Sequence, residues 1–265
     1  MTRNVQTLIK QLDSTVGTDR RHAALALGSL QDPAIVPALL AHLKTETDGR
    51  VKEDLTWAVV QHADEANDEI LALLKSDSEH ERFTGAHVVS KVGNPEHFEH
   101  VRGLVADEHV DVALKAYRAA ANTGGRLAAE DLAARLGDGD HLQRDALSDA
   151  FRRLGQGGVD ALVARLTDGS AAVREHAAEA LGYVGGPEAD SAAEALARAA
   201  ADEDADVALA AVSALGQLGS ASDEALTRVA EGDDAQLAAV ARRFLAEHQD
   251  GQSDLASRSA TMRMR

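Results

Sequence analysis

The densest group of potential metal ligands in the sequence is the run Glu96-His-Phe-Glu-His100. Imidazole and carboxylate groups are usual zinc ligands, so two neighbouring histidines with adjacent acids suggest an ion site. A metalloprotease helix, however, needs histidines four residues apart with the general-base Glu between them, and this run lacks that spacing. We therefore interpret it as a solvated helix on the outer wall of the fold and predict no metal site.

A second candidate is the acidic stretch that begins at Asp138, which resembles part of a calcium loop. An EF-hand needs Gly at its sixth position and oxygen ligands at its fifth and ninth, where this chain has Gln143, Leu142 and Ala146. The stretch is therefore interpreted as a helix entrance that is capped by Asp138 or Asp140.

Nucleophilic and phosphate-binding motifs are also missing from the sequence. The chain has no cysteine, which excludes a thiol nucleophile, a disulfide framework and a Cys-ligated metal. Gly155-Gln-Gly-Gly158 precedes a helix but follows another helix, so it is interpreted as a turn and not as a phosphate loop. We predict no catalytic residue and no cofactor, and a binding protein is favoured over an enzyme.

The elements that carry these residues are repeated helix pairs, seen most clearly in Val173–Gly186. Apolar residues recur there at the spacing that puts one apolar stripe on an α-helix. The pattern returns every 31 residues or so, with a shorter amphipathic segment before each copy, and eight helix pairs result. Because no pair can bury its apolar face alone, we predict stacked pairs and no strand. The equivalent positions are Ala23, Leu55, Gly85, Ala116, Leu147, Ala177, Ala211 and Ala241.

The motif Asp168-x-x-x-x-Val173-Arg174-x-x-Ala-Ala-x-Ala-Leu-Gly182, followed by Gly-Gly-Pro187, resembles the HEAT repeat in the short form found in phycobilisome-lyase-like proteins. The resemblance implies an all-α fold, a right-handed α-α superhelix (α-solenoid) of eight helix pairs, each about 31 residues long. It implies that the longer helices line the concave groove. It also implies that an Arg after the Val of each motif bonds acidic groups between repeats. These arginines are Arg20, Arg82, Arg144 and Arg174, and the acids implied include Asp107, Asp138 and Asp168.

Residues 1–249 are predicted to form the repeat domain, and residues 250–265 are predicted to form a disordered tail. After Asp250 the periodicity stops, and the remaining sequence is polar, Ser-rich and basic at its end. Within the repeats, His22 and His176 occupy the same column, and we interpret both as exposed helix residues.

The net charge is −17, from 27 basic and 44 acidic residues. An acidic, lysine-poor surface is typical of proteins from a high-salt, halophilic cytoplasm, where salt screens the repulsion between carboxylates; an ordinary acidic protein is the alternative. The first residues contain no signal-peptide apolar region, and no stretch approaches ~18 apolar residues. We therefore predict a cytoplasmic location and no membrane partner.

The residues predicted to bind a partner lie on the longer helices of repeats two to five. Trp57, the only tryptophan, stands in a column that should face the groove, and aromatic or basic residues follow it in the next repeats. Aromatic and Arg anchors are typical of interface hot spots. The alternative is that these rings fill core gaps left by alanine. The predicted set is Trp57, Phe83, His87, Lys91, Leu114, Tyr117, Arg118, Arg152 and Arg153.

These features together predict a non-catalytic protein–protein interaction scaffold or adaptor that binds a helix or an extended segment of a partner in its groove. As an alternative, the resemblance implies a phycobilin-lyase-type chaperone or enzyme acting on a cofactor or a modified protein. Deoxyhypusine hydroxylase, a HEAT-repeat enzyme, needs four His-Glu pairs for its di-iron site, and this sequence lacks them. Nucleic-acid binding, as in HEAT-like alkylpurine DNA glycosylases, needs a basic groove, and the acidic composition argues against it.

Overall fold

The computed structural model describes the backbone of residues 3–263 and the side chains of residues 4–251. The backbone it describes is helical apart from turns and short connections, and no strand occurs in it. The chain divides into two compact units, Met1–Gly124 and Gly125–Arg265. Each is described by itself.

The first unit alternates short and long helices. The short helices are α1 (Arg3–Gln11), α3 (Val36–Thr45), α5 (Asn67–Leu74) and α7 (Phe98–Val101). The long helices are α2 (Gly17–Gly28), α4 (Gly49–Val60), α6 (Glu79–Val92) and α8 (Val110–Gly124). Each short helix packs on the long helix that follows it, and each long helix also packs on the next long helix.

The second unit has the same alternation. Its short helices are α9 (Ala129–Ala133), α11 (Gln156–Arg165), α13 (Ala193–Ala199) and α15 (Asp223–Ala230). Its long helices are α10 (His141–Leu154), α12 (Ala171–Val184), α14 (Ala205–Gln217) and α16 (Ala235–Arg263). Here too, each short helix packs on the long helix that follows it, and each long helix packs on the next long helix. The predicted all-α fold of stacked helix pairs is therefore confirmed in each unit, while the handedness and the exact number of repeats stay predictions.

The column that defined the repeat forms the core of the long helices. Side chains at these positions are small or aliphatic, so adjacent helices approach closely and cover one another's apolar stripe. Every member of the column is buried, as the sequence period predicts: Ala23, Leu55, Gly85, Ala116, Leu147, Ala177, Ala211 and Ala241.

The helix boundaries are set by caps that the sequence indicates. The carboxylate of Asp140 accepts a hydrogen bond from the Gln143 N–H at 3.1 Å, which confirms the predicted helix entrance. Asp204 caps α14 in the same way. At the other end of a long helix, α6 ends at Gly93, whose φ of 66° is a left-handed conformation that glycine adopts without strain.

An arginine on the long helices links successive layers. The guanidinium of Arg174 donates to both carboxylate oxygens of Asp202, at 2.7 and 2.8 Å, and to the Asp168 carbonyl at 3.0 Å. Asp202 also accepts from the Asp204 N–H at 2.9 Å, so one carboxylate fixes the turn and binds the previous repeat. The bond to Arg174, working against burial, lowers the pKa of Asp202.

The same geometry recurs in the first unit, where Arg20 binds Glu46 and Arg82 binds Asp107. The inter-repeat bonds that the family resemblance implied are therefore present, but two of the implied partners were wrong. Arg174 uses only the backbone carbonyl of Asp168. Arg144 binds Glu175 and Glu179 and not Asp138, because these acids lie on the adjacent long helix α12.

One segment differs from the sequence prediction. The run Glu96-His-Phe-Glu-His100 was expected to lie in one solvated helix, but the chain forms only the short α7 between two 3-10 segments. Gly103, which has a low helix propensity, lies in the second of these 3-10 segments. His97, expected in a solvated helix, is buried, and its Nε2 lies 2.9 Å from Oδ1 of Asn67.

The last helix, α16, continues past residue 250, where the predicted tail begins, and reaches Arg263. Residues 264 and 265 lie outside the described part. His248 attaches α16 to the layer before it, because Nδ1 lies 2.7 Å from the Asp223 carboxylate and Nε2 lies 2.9 Å from the Gly216 carbonyl. Burial alone would lower the pKa of His248, but these two acceptors outweigh it and raise the pKa.

Candidate partner-binding site

Trp57 lies on the long-helix side of the first unit and is 40% exposed. Its indole rests on α2 at Gly28, where a Cβ atom would come within 2.7 Å of the ring. Leu25, also on α2, is 40% exposed beside it. Both side chains line a cavity of about 520 Å³, here called the Trp57 pocket, together with Val60, Glu53 and three other residues. The indole is therefore fixed on one side and available on the other.

Phe83, on α6, is half-buried and lines a second cavity of about 440 Å³, here called the Phe83 pocket. The Nζ atoms of Lys52 and Lys115 lie 5.3 and 5.2 Å from the centroid of its ring. These distances are those of cation–π contacts. The ring also stacks on His87, with centroids 6.4 Å apart.

His87 connects the two pockets through Glu53. Its Nε2 lies 2.8 Å from one carboxylate oxygen of Glu53, and Lys91 lies 3.6 Å from the other. Burial, with the charges of Lys115 and Lys91, lowers the pKa of His87 although Glu53 opposes this. Burial therefore favours the uncharged form of His87.

The predicted residues on α8 do not share one environment. Arg118 is exposed and Leu114 is half-buried, but Tyr117 is fully buried. Tyr117 therefore does not reach a partner, and its expected place at the edge of the groove does not fit the structure. Its neighbours on α8 are alanines, and the ring fills the space that they leave, as the alternative interpretation proposed.

Arg152 and Arg153 belong to the second unit, on α10. Both bind the carboxylate of Asp149, at 2.6 and 2.9 Å. Burial opposes ionisation of Asp149, but the two arginines outweigh it and lower its pKa. One carboxylate therefore offsets one of the two positive charges within this helix.

Sequence reasoning missed Leu25, Lys52 and Lys115. Lys52 occupies the register position of Arg20 and Arg82, so its departure from the repeated arginine was the available signal. Leu25 and Lys115 gave no comparable signal, because exposed Leu and Lys residues are common on helices.

The second unit contains a larger cavity of about 710 Å³ between α10, α12 and α14. Arg144 lies in it and donates to Glu175 at 3.0 Å and to Glu179 at 2.9 Å. Burial and the neighbouring Glu175 raise the pKa of Glu179, against the attraction of Arg144. Tyr183, 52% exposed, lines the same cavity.

His176 and Ser148 lie beside this cavity as a buried pair, 3.3 Å apart. His176 was expected to be exposed, but it is fully buried because the neighbouring helix α10 covers it. The Gly137 N–H donates to Nδ1 at 3.1 Å, so the ring proton is on Nε2, which faces the Arg144 carbonyl at 3.1 Å. A protonated Nε2 cannot take a proton from Ser148, so the pair is not arranged as a nucleophile and its base.

The described side chains contain no group of three or more His, Cys, Asp or Glu residues placed to hold a metal ion. Within the same part of the chain, no helix combines the length and the apolar composition that a membrane span requires.

Comparisons with solved structures give weak global similarity. The chain is similar to two engineered proteins, one at 21% identity (93% of this chain, 79% of the other, TM-score 0.40) and one at 24% (94% and 98%, TM-score 0.32). It is also similar to human deoxyhypusine hydroxylase in complex with glycerol, at 18% identity (94% and 96%, TM-score 0.40). No conclusion about this chain rests on TM-scores of this size. A comparison with curated proteins finds no significant match.

Family comparisons agree with the repeat seen in the sequence. Residues 159–246 match the model of HEAT repeats, and residues 19–45 match the model of the PBS lyase HEAT-like repeat. The two segments lie in different units: residues 159–246 span the helices from α11 to α16, and residues 19–45 span α2 and α3. The sequences of these two segments therefore match HEAT-like repeats.

Proposed function

We propose that the protein is a non-catalytic interaction scaffold that binds a helix or an extended segment of a partner protein, with Trp57 as the anchor. The observation that carries the proposal is the placement of this indole, supported on one side by Gly28 and exposed beside Leu25. A rigid aromatic ring that is already partly buried loses little conformational entropy when it is covered, and this favours a hot spot.

The test is affinity capture from the native cell at native salt, with the wild-type chain and with Trp57→Ala. We expect the variant to lose a specific partner by roughly tenfold or more, since truncation of a hot-spot Trp removes most of its contact area. Tyr183→Ala is the matched control, because it removes an exposed aromatic side chain from the second unit. Equal capture by wild type and by both variants would contradict the role of Trp57.

A lyase-type role, acting on a cofactor or a modified protein, is a second candidate. It is favoured by the match of residues 19–45 to the PBS lyase HEAT-like repeat and by the 710 Å³ cavity of the second unit. A tetrapyrrole that copurifies with the protein, seen as visible absorbance, distinguishes this role from a scaffold. We also propose that the protein is cytoplasmic, and that it binds no nucleic acid because its net charge is −17.

A further inference from the structure

The contact that joins α16 to the layer before it involves a histidine with two acceptors. The side chain of His248, on α16, is only 11% exposed. Its Nδ1 lies 2.7 Å from a carboxylate oxygen of Asp223, in the first turn of α15. Its Nε2 lies 2.9 Å from the carbonyl oxygen of Gly216, near the end of α14. Each ring nitrogen therefore faces an oxygen atom that accepts hydrogen bonds.

These two partners require one proton more than a neutral ring carries. A neutral imidazole donates from one nitrogen and has a lone pair on the other. One of the two contacts would then place a lone pair against an oxygen atom beside a largely buried ring, which is unfavourable. An imidazolium ring donates to Asp223 and to Gly216 at the same time. The pair keeps both bonds only while it holds this second proton, whichever of the two side chains carries it.

His176, in the same unit, has the opposite set of partners. The Gly137 N–H donates to its Nδ1 at 3.1 Å, and its Nε2 faces the Arg144 carbonyl at 3.1 Å. A neutral ring satisfies both of these contacts. The protonation that each histidine requires therefore follows from the chemistry of its partners and not from burial alone.

The charged groups around His248 favour the imidazolium. Asp223 faces the ring from α15, Glu247 acts on it from α16 itself, and α14 contributes the Gly216 carbonyl. Glu247 is also bound to Arg243, at 2.9 Å, which offsets part of its charge. Burial lowers the pKa of His248, but the hydrogen bonds to Asp223 and Gly216, with the two negative charges, outweigh it and raise the pKa.

The histidine extends an attachment that begins one helical turn earlier. The ring of Phe244 packs on Gly216, where a Cβ atom would overlap it. Phe244 and His248 are four residues apart and lie on the same side of α16. A helical segment that loses its tertiary contacts is only marginally stable in water, so its amides would then exchange with solvent.

We propose that His248 is a pH-sensitive switch: as an imidazolium it fastens residues 245–251 of α16 to α14 and α15, and the loss of one proton from its contact with Asp223 and Gly216 releases this segment. The switch does not depend on the partner-binding site of the first unit.

The direction of the pH dependence follows from the geometry. The folded chain holds the proton more tightly than the unfolded chain, whose histidine has the ordinary pKa of 6.5. The contribution of His248 is therefore fully present below pH 6.5 and is lost as the pH rises through the raised pKa of the folded state. This is the reverse of the dependence that a buried neutral histidine produces.

The first measurement is an NMR titration of the His248 ring in the full chain, with its resonance assigned by its absence in His248→Gln. We expect a titration midpoint above 6.5, because both ring nitrogens donate in the folded state. A midpoint at or below 6.5 would overturn the proposal.

The second measurement is hydrogen exchange of residues 242–251, corrected for the intrinsic exchange rate. We expect protection to fall roughly tenfold between about pH 6 and about pH 8.5, the scale of one hydrogen bond to a charged group. Helix α12 is the internal control, because the pKa of His176 is lowered to about 4 and its ring stays neutral over this range. Unchanged protection of residues 242–251 while His248 titrates would also overturn the proposal.

Two variants test which group is responsible. In Asp223→Asn the side-chain amide can donate to Nδ1, so a neutral ring satisfies both contacts and the pH dependence of protection should vanish. His248→Gln should also remove it, since glutamine does not titrate. Asp233→Asn is the matched control, because it changes the net charge equally in the exposed turn between α15 and α16, and it should behave as the wild type.

Circular dichroism checks that each variant is folded, and the titration of the wild-type chain tests the proposal without any substitution. A wild-type pH dependence of exchange in Asp223→Asn or in His248→Gln would show that release of the segment does not depend on this contact, and the proposal would then be wrong.

Discussion

At the scale of single residues, the degree of burial distinguishes side chains that stabilise the fold from those that are available to a partner. His176 is fully enclosed, and both of its ring nitrogens have partners, so its chemistry serves the fold. Trp57 has the opposite character, because a large apolar ring is left 40% exposed. An exposed anchor of this kind is stabilised only when something covers it.

The pH dependence of stability tests the role of His176. Burial, followed by the charge of Arg144, lowers its pKa from 6.5 to about 4. The unfolded chain therefore takes up a proton near pH 6.5 while the folded chain does not. Stability is fully present above that pH and falls as the pH is lowered towards 4, by up to about 3 kcal/mol.

We expect His176→Gln to flatten the pH dependence of the urea midpoint between pH 6.5 and pH 4.5, since glutamine does not titrate. His22→Gln is the control, because His22 is exposed at the equivalent position of the first repeat. Parallel pH profiles for wild type and His176→Gln would show that the histidine is not the group responsible.

At the scale of elements, the arginine bonds explain how a layer is attached to the next. In the first unit Arg82 donates to both oxygens of Asp107, which also accepts from the His109 N–H at 3.0 Å. The carboxylate is only 6% exposed, so its geometry is fixed by three donors. One acid thus stabilises both the turn before α8 and the contact with α6.

Asp107→Asn should destabilise the chain by about 1 kcal/mol, because it removes the charge but keeps the shape of the side chain. The bond to Arg82, working against burial, lowers the pKa of Asp107, so its contribution is present above its ordinary pKa and is lost as the pH falls below it. Chemical denaturation at neutral pH measures the effect. Asp64→Asn, an exposed acid in the turn after α4, should change the midpoint little. Similar midpoints for the two variants would argue against the linking role of Asp107.

At the scale of the whole molecule, the net charge of −17 is the dominant property. Repulsion among 44 acidic residues opposes the compact state, and added salt screens it. The arginine bonds relieve the repulsion locally, but the sequence supplies only 27 basic residues to do so.

We expect the free energy of unfolding to rise when KCl is increased from about 0.1 M to about 2 M, because the Debye length becomes shorter than the spacing of the surface carboxylates. Circular dichroism during thermal unfolding measures the effect. Sucrose at the same osmolality controls for exclusion of solutes from the protein surface. Complete helicity and an unchanged melting temperature in dilute buffer would refute the prediction of a halophilic protein.

The sequence by itself determined the periodic part of this structure. The apolar column at Ala177 and its equivalents specified which face of each long helix is buried, because a helical period depends only on residues in the same segment. The cap at Asp140 was also readable, since it depends on a short spacing, and the inter-layer arginines were implied by the resemblance to HEAT repeats.

Only the tertiary structure decided which residues between the columns are covered. Tyr117 lies in the core because the neighbouring alanines leave room for its ring. Trp57 stays partly exposed, and its indole packs on the surface of the preceding long helix at Gly28, which has no side chain. Lys52, Phe83 and Lys115 come together from three different helices, and their spacing in the sequence does not predict this contact. The physical reason is that exposure at these positions depends on the volume of side chains on the adjacent helix, which lies about thirty residues away in sequence.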